Sequence, residues 1–136
     1  MENFDGKIAV ITGGGTGMGR ELTYQLAAEG CHVSICDVIE ENMEETFQEA
    51  TKKYPQVKIT KHLCDVSSED DVLRFRDEVL EQQETEHINL LFNNAGIGGG
   101  ASFVLSGIEE WERTFKICWD GVYLCSRAFM GALLKS

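Results

Sequence analysis

Proline is nearly absent: Pro55 is the only one in 136 residues, so no proline-rich linker divides the chain and little opposes regular elements. Basic residues are also scarce. Twelve Lys and Arg stand against 23 Asp and Glu, and the net charge of −11 excludes the basic surface that nucleic-acid phosphates require. The five cysteines, Cys31, Cys36, Cys64, Cys118 and Cys125, include no Cys-x-x-Cys pair, and His32, His62 and His87 are scattered. Neither set has the spacing of a metal site, so reduced, packed thiols and structural histidines are expected. No apolar run approaches the length of a membrane span, and the start Met1-Glu2-Asn3-Phe4-Asp5 lacks the basic-then-apolar order of a secretory leader. A cytoplasmic protein with neither a membrane nor a nucleic acid as partner is the expectation.

What is present is an alternation of short apolar runs and amphipathic segments, with ordinary apolar content of 43%, enough for a single core. Strands are predicted at Ile8 to Ile11, His32 to Cys36, Val57 to Cys64 and Ile88 to Phe92. Helices are predicted from Gly17 to Glu29, with Leu22, Leu26 and Ala27 inward, from Ile39 to Lys53, and after Ser67 and Ser68, whose hydroxyls can cap the third helix with Asp70 or Asp71 reaching back. The acids of 40–49 and 69–86 then fall on solvated helix faces. Right-handed crossovers between parallel strands give the order 3-2-1-4, with a ligand crevice where that order reverses.

Directly behind the first strand lies Thr12-Gly13-Gly14-Gly15-Thr16-Gly17-Met18-Gly19. A backbone that passes a pyrophosphate at contact distance has no room for a Cβ, and tight turns often need positive φ. Gly13 suits the turn off the strand, and Gly17 and Gly19 suit close approach of the next helix, whose free N–H groups face the phosphates. A flexible loop is the alternative for such a run. The second strand ends in Asp37, 18 positions beyond Gly19, near the spacing of an acid that accepts the adenosine ribose hydroxyls. That carboxylate repels a 2′-phosphate, and neither Thr16 nor Val38 supplies a cation for one, so NAD(H) is favoured over NADP(H). Read alone, Asp37 is also compatible with an ordinary strand-end acid.

The glycine pattern of 12–19, Asp65-Val66 after the third strand and Asn93-Asn94-Ala95-Gly96 after the fourth resemble, in type and order, the short-chain dehydrogenases/reductases. The resemblance runs from about Lys7 to the end of the chain, and the asparagine tetrapeptide is its most specific part. It implies a single Rossmann-type α/β domain over 1–136, a doubly wound parallel sheet carrying the cofactor-binding half of an NAD(P)-dependent oxidoreductase that moves hydride between nicotinamide and a secondary alcohol or ketone. It further implies that Gly13, Gly15, Thr16, Gly17, Met18 and Gly19 cradle the cofactor, that Asp65 and Val66 meet the adenine, and that Asn93, Ala95 and Gly96 hold the sheet beside the cofactor ribose.

After the glycine-rich stretch Gly96 to Gly100, expected to be flexible, Ser106-Gly107-Ile108-Glu109 reads as a capping box opening one long helix over 107–134. Its apolar residues spread around most of the circumference, which predicts burial on two sides. The resemblance makes the second side a dimer contact, hence an expected homo-oligomer. Cys118 occupies a position where the family usually has an asparagine that helps hold a relay water; a packed thiol is the alternative. The family's active-site Ser and Tyr-x-x-x-Lys would follow residue 136, so no catalytic residue is assigned and the chain alone is expected to be inactive. Tyr54-Pro55-Gln56-Val57-Lys58 fits the tyrosine–lysine spacing but enters a strand through proline, and Tyr123 to Arg127 lies in the dimer helix. A non-catalytic NAD(H)-binding or interaction protein is the alternative function. Ending the sheet at strand four also leaves an edge expected to self-associate.

Overall fold

The computed structural model describes residues 2–97 and 102–136; Gly98, Gly99 and Gly100, from the stretch expected to be flexible, lie outside the described residues. The apolar runs form parallel strands β1 (Ile8–Thr12), β2 (His32–Asp37), β3 (Ile59–Leu63) and β4 (Leu90–Phe92). All five residues of β1 are buried, as befits a strand covered by helices on both faces. The crossovers that parallel pairing requires are α1 (Gly17–Ala28), α2 (Glu40–Lys53) and α3 (Glu69–Gln82). They produce the expected order β3-β2-β1-β4, with Ile8 opposite His32, Val10 opposite Leu91 and Asp37 opposite Leu63.

Two strands are shorter than expected, each for a local reason. Asn89 reaches across to β1 before the ladder starts, its Oδ1 accepting from Ile8 N and its own N–H donating to Ile8 O, both at 2.9 Å. β3 begins after a turn through Pro55 in which Val57 N donates to Tyr54 O (3.3 Å). The sheet separates two apolar layers. One holds Ile11, Leu26, Ala27, Val33, Ile35 and Met43 under α1 and α2, with Leu22 packed at its margin. The other holds Val10, Val72, Phe75, Val79, Ile88 and Phe129.

The α3 cap forms as expected: Ser68 Oγ accepts from Asp71 N (3.3 Å). Asp71 Oδ2 reaches past Ser68 to accept from Asp65 N (3.0 Å). Within the second layer, a line of polar groups, buried from Gln83 to His62 and ending at the partly exposed Glu78, runs under β2 and β3. Gln83 Nε2 donates to Ser34 Oγ (2.9 Å), Ser34 Oγ pairs with Thr60 Oγ1 (2.5 Å), Thr60 Oγ1 with His62 Nε2 (2.8 Å), and His62 Nδ1 faces Glu78 Oε1 at 3.4 Å. Each group thereby satisfies the next in a region without bulk water.

The last helical segment departs from the expected single helix. It begins as α4 (Ile108–Phe115), widens into a π turn at Lys116–Asp120 and continues as α5 (Gly121–Leu134). The capping box does not form. Gly107, which has no side chain to cap with, is the N-cap, and the Ser106 N–H that Glu109 would have accepted from instead donates to Ser102 O (2.9 Å). Taken as one helix, Ile108–Leu134 is 27 residues long and apolar enough to cross a membrane by length and composition alone, though charged residues interrupt it and it is no continuous apolar run. Its inner stripe of Gly121, Cys125, Ala128, Phe129 and Ala132 is buried, with Phe129 set edge-on to Phe75 (5.5 Å, 72°). On α4 and the π turn, Trp111, Phe115 and Trp119 stack in sequence at 5.3 and 5.7 Å and stay exposed.

Candidate functional site

The carboxyl ends of β1 and β4 are tied together where the strand order reverses. Thr12 Oγ1 accepts from Asn94 N (3.0 Å) and Ala95 N (2.9 Å), while Asn94 Nδ2 donates to Thr12 O (3.2 Å) and Gly13 O (3.1 Å). In this clamp Gly13 has φ +70°, and a Cβ on it would stand 2.9 Å from Ala95 Cα. A Cβ on Gly19 would collide with Gly13 O. Glycine at both positions lets the first turn of α1 sit directly on the backbone leaving β1.

The start of α1 is electrostatically bare. Thr16 is extended and makes no side-chain cap bond, and the first turn carries no acid, whereas α2, α3 and α4 each carry acids there. The open N–H groups and the positive end of the helix dipole are therefore left uncompensated, as an anion-binding terminus requires. Beyond the turn, Asp37 is held from two sides: Oδ2 accepts from Gly15 N (2.9 Å), and Oδ1 from Val38 N (2.8 Å) and Ile39 N (3.1 Å). Asp65 Oδ1 likewise accepts from Ser67 N (3.0 Å) and Ser67 Oγ (2.7 Å).

One cleft of about 410 Å³ gathers Gly13, Thr16, Gly17, Met18, Asp37, Asp65, Val66, Ala95 and Gly96. Three other candidate residues stand behind its wall. Gly15 backs Asp37, Gly19 backs Gly13, and Asn93 turns its Nδ2 to Ser126 Oγ on α5 (3.1 Å). The cleft also takes in Val38, Ile39, Asn94 and Ile97, and from the distant α4 and π turn Arg113 and Ile117. Asn94 lies inside the motif already singled out; Arg113 and Ile117 come from a helical segment with no local signal beyond their four-residue spacing. Cys36 and Cys64 also line the cleft. Hydrogen bonding to Cys64, with burial, pushes the Cys36 thiol up, and burial pushes Cys125 up to about 12. These thiols are packing groups rather than nucleophiles.

Cys118 lies outside this cleft. It is exposed, its Sγ is 3.6 Å from Ile97 O, and it lines a larger apolar cleft of about 900 Å³ together with Phe103, Ile108, Trp111, Phe115 and Trp119. The two tyrosine pairs are also elsewhere. Lys58 Nζ donates to Gln82 O (3.2 Å) and Tyr123 OH accepts from Arg127 Nη1 (2.9 Å). Among the described residues no group of three or more His, Cys, Asp or Glu side chains is placed to hold a metal ion.

A family model described as short chain dehydrogenase matches residues 7–136. Epidermal retinol dehydrogenase 2 of Mus musculus is 32% identical over 135 residues, 99% of this chain and 43% of its own length. Meso-2,3-butanediol dehydrogenase of Serratia marcescens is 32% identical over 133 residues, 98% of this chain and 51% of its own. The crystal structure of a short chain dehydrogenase/reductase from Burkholderia phymatum in complex with NAD superposes with a TM-score of 0.89 at 32% identity, covering 99% of this chain and 47% of that one. Solved structures of the same kind hold NADP as well. The chain thus spans about half the length of the curated relatives it matches.

Proposed function

The chain belongs to the short-chain dehydrogenase family, and from that premise we propose that residues 1–136 form one domain that binds NAD(H) for an oxidoreductase acting on an alcohol or ketone. The observation that carries this reading is the acid-free, uncapped start of α1 beside a glycine turn and a fixed carboxylate in one cleft. A pyrophosphate fits the first feature, since open N–H groups and a helix dipole favour an anion there. Adenosine ribose fits the second. Asp37 is held by three backbone N–H donors, keeps acceptor capacity for hydroxyl groups and opposes a 2′-phosphate.

In this proposal Gly13, Thr16, Gly17 and Met18 hold the pyrophosphate with Gly15 and Gly19 shaping the turn behind them. Asp65 and Val66 border the adenine, and Ala95 and Gly96 border the second ribose, with Asn93 tying that segment to α5. The nicotinamide, when bound, supplies hydride transfer. The residues of this chain bind and orient it; the accompanying proton transfer needs a donor, and neither Tyr54 nor Tyr123 lines the cleft. Cys118 is assigned no proton-handling role. The exposed stack Trp111, Phe115 and Trp119 is the surface proposed for self-association, since an apolar face of this kind is characteristic of an interface core. Buried free thiols at Cys31, Cys36, Cys64 and Cys125 support a reducing, cytoplasmic setting.

The test is calorimetric titration of the chain with NAD+ and NADP+, repeated with Asp37→Ala. Saturable binding of NAD+, weaker binding of NADP+, and a narrowed difference between them in the variant are expected. No binding of either dinucleotide would sink the proposal.

A further inference from the structure

The turn residue Gly15 is gripped on both of its peptide groups, and only one grip is explained by the binding proposal. Its N–H donates to Asp37 Oδ2. Its carbonyl accepts from Arg20 Nη2 (2.5 Å) and from Thr46 Oγ1 (3.2 Å). Arg20 Nε donates in turn to Thr46 Oγ1 (2.9 Å), and its Nη2 also reaches Asn42 O (3.0 Å) and Glu45 Oε2 (3.3 Å). The guanidinium thus stitches the glycine turn on α1 to the first turns of α2. It is no surface ion pair: the Arg20 side chain is only 23% exposed, Thr46 is fully buried, and three of the four guanidinium contacts are hydrogen bonds to neutral oxygens.

Resting on the NAD(H)-binding reading, we infer that Arg20 and Thr46 are positioning residues for cofactor choice: they fix Gly15, and through its N–H they hold the Asp37 carboxylate in the orientation that reads a ribose 2′-hydroxyl. The cause is geometric. Asp37 Oδ1 is tied to its own following residues, Val38 and Ile39, and the Oδ2 bond to Gly15 is the one that fixes the carboxylate relative to the glycine turn. Without Arg20, the carbonyl of Gly15 loses its charged donor, the turn is free to reorient, and that bond goes with it. A planar guanidinium is suited to this because it serves several carbonyl and hydroxyl oxygens at once, which a lysine ammonium on a flexible stem cannot do with fixed angles. Since Arg20 faces Gly15 O and α2, it acts through Gly15.

The experiment measures the dissociation constants of NAD+ and NADP+ on the full 136-residue chain for wild type, Arg20→Met, Arg20→Lys and Thr46→Val, with circular dichroism to verify folding. The expected result is preference for NAD+ in wild type and a fall of NAD+ affinity in Arg20→Met by about tenfold, the scale of one charge-assisted hydrogen bond. NADP+ affinity is expected to change by less than about twofold, so the preference narrows; Arg20→Lys falls between. Thr46→Val, nearly isosteric in a buried site, is expected to narrow the preference in the same direction and decides the matter should Arg20→Met fail to fold. Equal losses for the two dinucleotides, or no loss for either, overturn the inference while leaving the binding reading intact. Wild type that prefers NADP+ overturns the inference and the cofactor choice together, and wild type that binds neither removes the reading on which the inference rests.

Discussion

At the scale of single residues, the glycine turn shows how few positions are dictated by space. Gly13 combines φ +70° with a neighbouring Cα that a Cβ would approach to 2.9 Å, so Gly13→Ala pays twice, once in backbone strain and once in displacement of Ala95. A loss of about 1–3 kcal/mol in unfolding free energy is expected from left-handed strain and overpacking, read as a lower urea midpoint at unchanged slope. The same substitution moves Ala95, part of the cleft wall, so weaker NAD+ binding should accompany the lower midpoint. An alanine variant with wild-type stability would mean that the turn relaxes in a way its packing does not suggest. Gly13 was readable from the motif, because only a residue without a Cβ fits between two strand ends. Arg20 was not: a lone arginine in the first turns of a helix carries no sequence signal, and its meaning comes from Thr46 on another element.

At the scale of elements, the line Gln83, Ser34, Thr60, His62 and Glu78 makes stability depend on pH. Burial lowers the pKa of His62, opposed by its hydrogen bond and charge contact with Glu78, so between the folded pKa and the ordinary value of 6.5 the unfolded chain binds more protons than the folded one. Stability is therefore fully present above about pH 6.5 and declines as pH falls below it. Urea unfolding at pH 7.5 and 5.5 should show that decline, and His62→Gln should flatten the part of it that belongs to His62; an equal decline in the variant would assign the effect to carboxylates. Strand order and the three crossovers were legible because short β-rich runs, continuous and apolar in β1 (IAVIT) and mixed with polar residues in β2 and β3, alternate with amphipathic helical segments. The π turn was not legible, since residues 116–120 carry no proline or glycine. The missing capping box failed for a different reason: Ser106 has the right type and spacing, but its backbone is already bonded to Ser102. Arg113 and Ile117 escaped because their place in the cleft depends on where the tertiary fold carries α4 and the π turn, which no local pattern states.

At the scale of the whole molecule, the exposed apolar surface is concentrated rather than scattered. Trp111, Phe115 and Trp119 form one continuous stack, and Tyr123 and Met130 extend exposed apolar area along α5. Self-association through this face is expected at micromolar concentration, and Trp119→Glu should shift the chain toward monomer in light scattering because it places a charge in an interface core. Persistence of the same oligomer in that variant would move the contact to the other candidate surface, the outer edge of β4, whose three residues are only half-buried. The acidic excess, −11 overall, opposes indiscriminate clustering by mutual repulsion, so a defined small oligomer is favoured over open-ended aggregation.

The π turn between α4 and α5 behaves like a gear tooth. One additional residue in a helical turn rotates everything before it by about 100° relative to everything after it. With the turn in place, the inner stripe of α5 meets the core while Arg113 and Ile117 reach the cleft and the aromatic stack points outward. Removing one residue from 116–120 would leave composition, hydropathy and helix propensity almost untouched, yet it would turn the aromatic stack out of line with the face of α5 and withdraw Arg113 and Ile117 from the cleft. Segment length, more than side-chain identity, is the inherited information at that point of the chain.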